Sequence, residues 1–154
     1  MMAMVENFSR EIQIRWADID PNRHLRHSAY YDYGATLRML FFSENGLTTQ
    51  KLEELQIGPI LFREEAIFRR EIRLEDKITV DVTLHCATGN YSRWSFRHTF
   101  TKSDGSVAAV LNIDAAWIDI VKRKLTTPGE FIQSIFEKCP RAEGFFFTTP
   151  EKKV

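Results

Sequence analysis

The chain has 154 residues, which is typical of one domain and enough to bury a hydrophobic core. Its 21 basic and 21 acidic residues give a formal net charge of zero, which argues against a dedicated nucleic-acid-binding protein. No run approaches the ~20 apolar residues that span a bilayer, the N-terminus lacks a secretory pattern, and two cysteines are too few for a disulfide framework. We therefore expect one domain over residues 1–154 in the reducing cytoplasm, without a membrane partner.

The N-terminal third of the sequence predicts a strand, a turn and one long helix. Apolar residues alternate with polar or small ones and predict a half-buried strand at Ile12, Ile14 and Trp16. A turn over residues 18–27 precedes a helix over 28–45, for which Ser28 is a suitable N-cap. Gly34, in the middle of this helix, costs about 1 kcal/mol relative to alanine. We therefore expect the helix to pack closely against a sheet at that point.

The rest of the sequence predicts mainly strands. Short helices are expected over residues 48–56 and 128–138. Between them, period-two alternation predicts four strands, over residues 60–68, 78–84, 93–100 and 107–120. The first of these strands should present one largely apolar face formed by Ile60, Phe62, Glu64, Ala66 and Phe68. The tail over residues 144–154 has no predicted structure.

This order of elements predicts an α+β fold. One antiparallel sheet of about five strands would wrap round the long helix, with a core over about residues 8–127 and the short helix and tail at 128–154. The last predicted strand is apolar on both faces for much of its length, so we expect it inside the sheet. The edges of such a sheet are candidates for pairing with a second copy of the chain.

Carboxylates and imidazoles are concentrated in residues 16–34, where the first strand leads into the long helix. Asp18 and Asp20 are followed by His24 and His27, and the helix begins directly after them. A carboxylate can activate water or attack a carbonyl, and free N–H groups in the first turn of a helix can bind an oxyanion. Alternatively, both carboxylates only cap backbone N–H groups of the turn.

The same stretch resembles the N-terminal motif of hotdog-fold acyl-CoA thioesterases, in particular the 4-hydroxybenzoyl-CoA thioesterase-like group. The matching residues are Arg15, Trp16, Asp18, Ile19, Asp20, Pro21, His24, His27 and Tyr30. The order of elements is similar over residues 12–125. The resemblance implies a hotdog fold and hydrolysis of an acyl-CoA thioester to a free acid and coenzyme A, without a metal or redox cofactor. It also implies that Asp20 is the general base or nucleophile and that the backbone N–H of residue 27 contacts the thioester oxygen, whereas we expect Asp18 to be structural.

Two positions depart from the family pattern. Arg23 stands where the family commonly has glycine, which removes a flexible backbone position, and Ala29 stands where it commonly has asparagine, which removes a polar contact. These differences keep open a non-catalytic acyl-CoA-binding protein as an alternative. A thioesterase acting on acyl-carrier protein shares the motif and is a second alternative. A hotdog dehydratase, which places its Asp and His differently along the chain, fits less well.

The candidate site residues come from separate parts of the chain. Asp20 is the expected catalytic carboxylate, and His27 would orient it or polarise the carbonyl, with a polar helix-cap role as the alternative. Tyr30 is a candidate for binding substrate, with simple packing as the alternative. Arg123 and Lys124 are candidates for binding the phosphates of coenzyme A, and the alternative is a solvated strand end.

Hotdog sites form between subunits, as the resemblance implies, so we expect a homodimer or homotetramer. Residues 60–68 of a second copy would line the acyl tunnel, and Glu64 would be an acid supplied by that copy; alternatively, Glu64 ends in solvent at a strand edge. We expect His98 to be a hydrogen-bonded core histidine. His85 beside Cys86 does not complete a metal-ligand set, so no metal is expected.

Overall fold

The computed structural model describes residues 7–149, which form seven strands and three α-helices. In chain order these are β1 (Phe8–Ile12), α1 (Ala29–Glu44), α2 (Thr49–Leu55), β2 (Ile57–Phe68), β3 (Ile78–Thr88), β4 (Arg93–Lys102), β5 (Val107–Asp119), β6 (Lys124–Thr126), α3 (Glu130–Lys138) and β7 (Arg141–Thr148). The three predicted helices and the four predicted strands that follow the long helix are all present, with ends that differ by a few residues. The tail expected to lack assigned structure contains most of β7, and its last five residues lie outside the described part.

Five strands form an antiparallel sheet in the order β1-β3-β4-β5-β2, and the sheet wraps round α1. The strand β5 lies between β4 and β2, as its apolar faces predicted. The short β6 pairs with β5, and β7 runs parallel to β3, so the sheet has seven strands rather than about five. This is the α+β hotdog architecture expected from the sequence. None of the helices in residues 7–149 is long and apolar enough to cross a membrane.

The core lies between α1 and the concave face of the sheet. Near the C-terminal end of α1, the ring centroid of Phe42 lies 5.9 Å from those of Trp94 and Phe96 and 6.0 Å from that of Phe136 in α3. All four side chains are almost fully buried, and each contributes roughly 1.5–3 kcal/mol through apolar burial. The helix α3 therefore closes one end of the core, and the N-terminus of α1 lies at the other end.

Gly34 allows α1 to approach β5 closely. A Cβ atom built at this position would lie 2.3 Å from Cδ2 of Leu111 and 3.3 Å from Cδ2 of His98. A side chain does not fit there unless Leu111 moves. The close packing predicted at Gly34 is confirmed.

The first predicted strand ends earlier than expected. Trp16, assigned to a half-buried strand by its alternation, begins a 3-10 turn and is 75 % exposed. The cause is local, because the Asp18 amide donates to the carbonyl of Arg15 at 3.0 Å while the Asp18 carboxylate binds the Arg15 guanidinium. These two contacts close a tight turn after β1, so the strand prediction at Trp16 is wrong.

A bulge in β2 divides its predicted apolar face. Ile60 pairs with Ala116, whereas Glu64, beyond the bulge, pairs with the buried Ile113. Paired residues share a face of the sheet, and Ala116 and Ile113 lie on opposite faces because they are three residues apart on β5. Ile60 therefore lies on the face opposite Glu64. The prediction of one shared face is therefore wrong, and the residues on the α1 side are Glu64, Ala66 and Phe68. Only one side of β2 is paired within the described residues, which makes β2 an edge strand.

Candidate active site

A cavity of about 310 Å³ lies where the turn after β1, the N-terminus of α1 and the C-terminal end of β2 meet. Its lining residues are Asp20, His24, Leu25, His27, Tyr30, Phe68, Arg69, Arg70 and Glu71. The structure thus brings together three of the predicted site residues, Asp20, His27 and Tyr30. Arg69 and Arg70 also line the cavity and were missed in the sequence, although two consecutive arginines directly after a predicted strand were visible there.

The turn holds the Asp20 carboxylate by one oxygen. Oδ1 accepts hydrogen bonds from the backbone amides of Asn22, at 2.9 Å, and His24, at 3.2 Å. The Asp20 amide in turn donates to the His24 carbonyl at 2.8 Å. Across residues 7–149, no donor bonds to Oδ2 of Asp20. One oxygen is therefore anchored, and the other is available for a proton or a reacting carbon.

Arg23 occupies a backbone conformation that favours glycine. Its φ of +68° lies in the left-handed region, which costs a residue with a Cβ roughly 1–2 kcal/mol. The turn therefore keeps the shape that a glycine would give it, and the arginine is strained. The Arg23 side chain is exposed and does not line the cavity.

The N-terminus of α1 is not capped by its own N-cap residue. Ser28 has helical backbone angles, φ −77° and ψ −20°, and its side chain makes no capping bond. Its hydroxyl oxygen instead accepts a hydrogen bond from Nη1 of Arg26. Within the described part of the chain, we find no acceptor for the amide N–H groups of His27 and Ser28. These groups lie at the positive end of a 16-residue helix and are available to an anionic oxygen.

Asp18 has a structural position, as expected. It is almost fully buried and accepts hydrogen bonds from Nε and Nη2 of Arg15, at 2.9 and 3.1 Å, and from Nη2 of Arg26 at 2.9 Å. These bonds, that of Arg15 above all, hold the pKa of Asp18 below its ordinary value. The carboxylate therefore stays ionised and fixes the turn, so it has no free oxygen for catalysis.

The two histidines of the motif have different surroundings. Nε2 of His24 lies 2.9 Å from Oε2 of Glu71, at the rim of the cavity. His27 is exposed, and its ring makes no hydrogen bond to Asp20 or to any other described residue. The structure therefore gives no support to His27 as the group that orients Asp20, because the backbone of the turn does this.

Tyr30 forms part of the cavity wall. Its ring centroid lies 5.0 Å from that of Phe68 and 5.3 Å from that of Phe100. Burial, together with the negative charge of nearby Asp20, raises the pKa of Tyr30 to about 12. The phenol is therefore neutral near pH 7 and presents an aromatic surface to the cavity.

The other predicted binding residues lie away from this cavity within one copy. Glu64 is exposed on the α1 side of β2, four residues or about 13 Å along the strand from Phe68. Arg123 and Lys124 lie beyond the end of β5 that pairs with Ile57, so they are about 30 Å from the Phe68 end. Neither residue lines this cavity within one copy, and their role in binding the phosphates of coenzyme A stays a prediction.

The remaining histidines are not catalytic candidates. Nδ1 of His98 donates to the Asp81 carbonyl at 2.8 Å, and Nε2 lies 3.2 Å from Nη1 of Arg38, which leaves it as the acceptor. Burial lowers the pKa of His98 to about 3, so the predicted hydrogen-bonded core histidine is confirmed and is neutral. His85 contacts Arg97 at 3.2 Å. No cluster of potential metal ligands occurs among the described residues.

Solved structures similar to this one share its fold. A Staphylococcus aureus protein solved in complex with CoA is 22% identical, with a TM-score of 0.80 over 100% of this chain and 98% of that chain. A 1,4-dihydroxy-2-naphthoyl-CoA thioesterase from Synechocystis is 15% identical, with a TM-score of 0.75 over 85% of this chain and 96% of that chain. A DHNA-CoA thioesterase from Staphylococcus aureus is 16% identical, with a TM-score of 0.75 over 86% and 87% of the two chains. At these identities the likeness establishes the fold.

The family assignment comes from the sequence. A comparison with curated proteins gives no significant match. The sequence model of the Thioesterase-like superfamily matches residues 14–136, about four-fifths of the chain, and this range includes the Asp20 turn, α1 and the whole of β2. The match confirms the enzyme class expected from the motif, a thioester hydrolase. The chain belongs to the Thioesterase-like superfamily.

Proposed function

We propose that this protein hydrolyses an acyl-CoA thioester, with Asp20 as the general base or nucleophile. One observation carries the proposal: Asp20, whose Oδ2 accepts no hydrogen bond from residues 7–149, and His27, whose amide has no acceptor among them, line the same cavity. Thioester hydrolysis needs a carboxylate and oxyanion donors acting on the same carbonyl. A single short stretch of chain, residues 18–30, supplies both.

The reaction can follow either of two routes from this geometry. In the first, Oδ2 of Asp20 takes a proton from water as the water oxygen bonds to the carbonyl carbon, and the oxyanion accepts hydrogen bonds from the amides of His27 and Ser28. The C–S bond then breaks, and the proton on Asp20 goes to the departing thiolate of coenzyme A. In the second, Asp20 attacks the carbonyl carbon itself, and the C–S bond breaks to release coenzyme A as a thiolate. Water then hydrolyses the mixed anhydride to the free acid and the Asp20 carboxylate, and the proton of the acid goes to the thiolate.

Arg69 and Arg70 are our candidates for binding the phosphates of coenzyme A. Both side chains are exposed at the cavity rim, and neither forms an ion pair with a described residue. Guanidinium groups bind phosphate oxygens in bidentate fashion, so two adjacent arginines suit a polyphosphate. The Staphylococcus aureus protein with the same fold was solved in complex with CoA.

A second copy would add Arg123 and Lys124 to this site. Edge-to-edge antiparallel pairing of two β2 strands about their midpoints brings the Ile57 end of one copy next to the Phe68 end of the other. Arg123 of one copy, which is about 30 Å from the cavity of its own copy, then lies near the cavity of the other copy. The same pairing lays the exposed Glu64 of each copy along the acyl channel, so we propose a homodimer as the active unit.

The test is release of free thiol from a panel of short, long and aromatic acyl-CoAs. Asp20→Asn keeps an oxygen that accepts the two turn amides but removes the base, so we expect a loss of activity of at least about 10²-fold. Asp32→Asn, in the first turn of α1 but outside the cavity lining, is the matched control and should retain activity. If the Asp20→Asn protein is as active as wild type, the assignment of Asp20 is wrong. If wild type binds acyl-CoAs with micromolar affinity but releases no thiol from any of them, the protein is a binding protein instead.

Acyl-carrier protein remains the alternative source of the thioester. Arg69 and Arg70 discriminate between the two carriers, because only coenzyme A carries the nucleotide phosphates. The double variant Arg69→Met/Arg70→Met should raise KM for an acyl-CoA and leave KM for the corresponding acyl-pantetheine unchanged. Equal effects on both substrates would contradict the phosphate assignment.

A further inference from the structure

A second and larger cleft lies on the sheet face that points away from α1. Its volume is about 920 Å³, against about 310 Å³ for the cavity at Asp20. Ser95 of β4 and Asp114 of β5 are paired residues in the floor of the cleft. Each has buried core residues next to it along its strand, so both side chains point away from α1. Among the residues that the structure describes, the cleft shares no lining residue with the cavity at Asp20.

Four large apolar side chains surround this cleft, and each is about half exposed: Phe62 (52 %), Leu125 (48 %), Phe146 (50 %) and Phe147 (55 %). They come from the bulge in β2, from β6 and from β7. A single exposed apolar side chain needs no explanation, but a contiguous group round one concave surface marks a binding site. The volume is also within the range of small-molecule sites.

One positively charged side chain of the cleft, Arg93, has no acidic partner among the described residues. Asp114 accepts a hydrogen bond from the Ser95 hydroxyl at 2.6 Å and lies 3.7 Å from Nη1 of Arg63, which also pairs with Glu65. Arg93 forms no ion pair or side-chain hydrogen bond with any of residues 7–149, and its guanidinium carbon lies 5.3 Å from the centre of the Phe62 ring. The acids near Arg63 are therefore engaged, and the Arg93 guanidinium keeps its donors free at the apolar wall.

We propose that this cleft is a second ligand site, which binds an amphipathic carboxylic acid. The carboxylate accepts bidentate hydrogen bonds from Arg93, and the apolar body lies against Phe62, Phe146 and Phe147. Charge and shape both favour this class of ligand over a second copy of the chain, because a flat partner surface would leave the concave floor and the Arg93 charge unfilled. Edge pairing of β2 keeps the faces of the sheet free, so the site stays open in the proposed dimer. The inference does not depend on the proposed hydrolysis.

The test is isothermal titration of the full-length protein with dodecanoate, and with dodecanol as a probe of equal chain length without the charge. We expect dodecanoate to bind in the presence of saturating coenzyme A, and Arg93→Met to weaken this binding at least about tenfold. Arg93→Lys keeps the charge but not the bidentate geometry, so it should restore only part of the affinity. Arg10→Met is the matched control, because the Arg10 guanidinium lies 4.2 Å from the centre of the Phe8 ring in a similar stacking contact outside the cleft, and this variant should bind like wild type.

Several results would overturn the proposal. Displacement of dodecanoate by coenzyme A would place the acid in the Asp20 cavity. Equal affinities of wild type and Arg93→Met for dodecanoate, with both proteins folded by circular dichroism, would remove the role of Arg93. An Arg93-dependent change in sedimentation without dodecanoate binding would mean that a second copy covers this face.

Discussion

Replacing Gly34 with alanine tests how closely α1 sits on the sheet. The new Cβ would lie 2.3 Å from Cδ2 of the fully buried Leu111, whereas carbon atoms in good contact are about 3.5–4.0 Å apart. Overpacking of this kind costs about 1–3 kcal/mol, and alanine recovers about 1 kcal/mol because it is the better helix former. We therefore expect a net loss of about 1 kcal/mol in the free energy of unfolding.

A double-mutant cycle with Leu111→Ala isolates the clash. Alone, Leu111→Ala should cost about 2–5 kcal/mol because it leaves a cavity under α1. In that background the methyl group introduced at position 34 enters the vacated space, so the sign of the Gly34→Ala effect should reverse to a gain of about 1 kcal/mol. The coupling energy between the two positions is then about 2 kcal/mol.

Urea unfolding followed by fluorescence and circular dichroism measures each free energy, with the m-value as a check that the unfolded state is unchanged. Gly89→Ala, where a Cβ meets no atom within 4 Å, is the control and should change stability by less than about 0.5 kcal/mol. If Gly34→Ala has the same effect in the wild-type and the Leu111→Ala backgrounds, the close approach of α1 to β5 is not the source of its cost.

Three further predictions concern the turn, the helix caps and pH. Arg23→Gly should raise the free energy of unfolding by about 0.5–1 kcal/mol, because relief of the left-handed strain outweighs the added flexibility of the unfolded chain. Arg23→Ala keeps the strain and should give no gain. Urea unfolding of both variants measures the difference. Ser28→Ala should cost less than about 0.5 kcal/mol, whereas Thr48→Ala should cost about 1 kcal/mol, because only Thr48 caps its helix, accepting from the Lys51 amide at 3.1 Å. A larger loss for Ser28→Ala in thermal melts would mean that the N-terminus of α1 is capped after all. The pKa of His98 is lowered from 6.5 to about 3, so below pH 6.5 this imidazole is protonated in the unfolded chain but stays neutral in the folded protein. The contribution of His98 to stability should therefore decrease as the pH falls below 6.5, with a limiting slope of about 1 kcal/mol per pH unit. His98→Gln should make the pH dependence of the unfolding free energy shallower between pH 5 and 7, and an unchanged pH dependence would contradict the assignment.

Periodicity predicted most of the fold because each main element buries one regular face. The strands β3 and β4 alternate, β5 is apolar on both faces as an interior strand should be, and α1 has its glycine where the helix touches the sheet. The predictions failed where a local contact overrides alternation. The Arg15–Asp18 pair closes a turn at Trp16, and the bulge in β2 moves Ile60 to the opposite face from Glu64. Neither the ion pair nor the bulge leaves a periodic pattern in the sequence, so alternation could not predict them.

The tail was missed for a different reason. The run Phe145–Phe147 has no alternation, and its strand exists because β3 offers a free edge beyond the residues that pair with β1. That edge is a tertiary feature, so only the assembled sheet makes the pairing available. Arg69 and Arg70 were missed in the same way, since their importance depends on the cavity that the Asp20 turn and α1 form beside them.

The two carboxylates that are separated by one residue differ in their surroundings because two arginines, Arg15 and Arg26, bind Asp18 but not Asp20. Arg26 donates to Asp18 through Nη2 and to the Ser28 hydroxyl through Nη1. Together with the bonds from Arg15, the first bond engages both oxygens of the ionised Asp18, whereas Oδ2 of Asp20 accepts no bond from residues 7–149. The second bond engages the Ser28 hydroxyl, which makes no capping bond to α1. Arg15 and Arg26 therefore fix Asp18 as the structural acid, and Asp20, which keeps a free oxygen, is the acid that we propose to be catalytic.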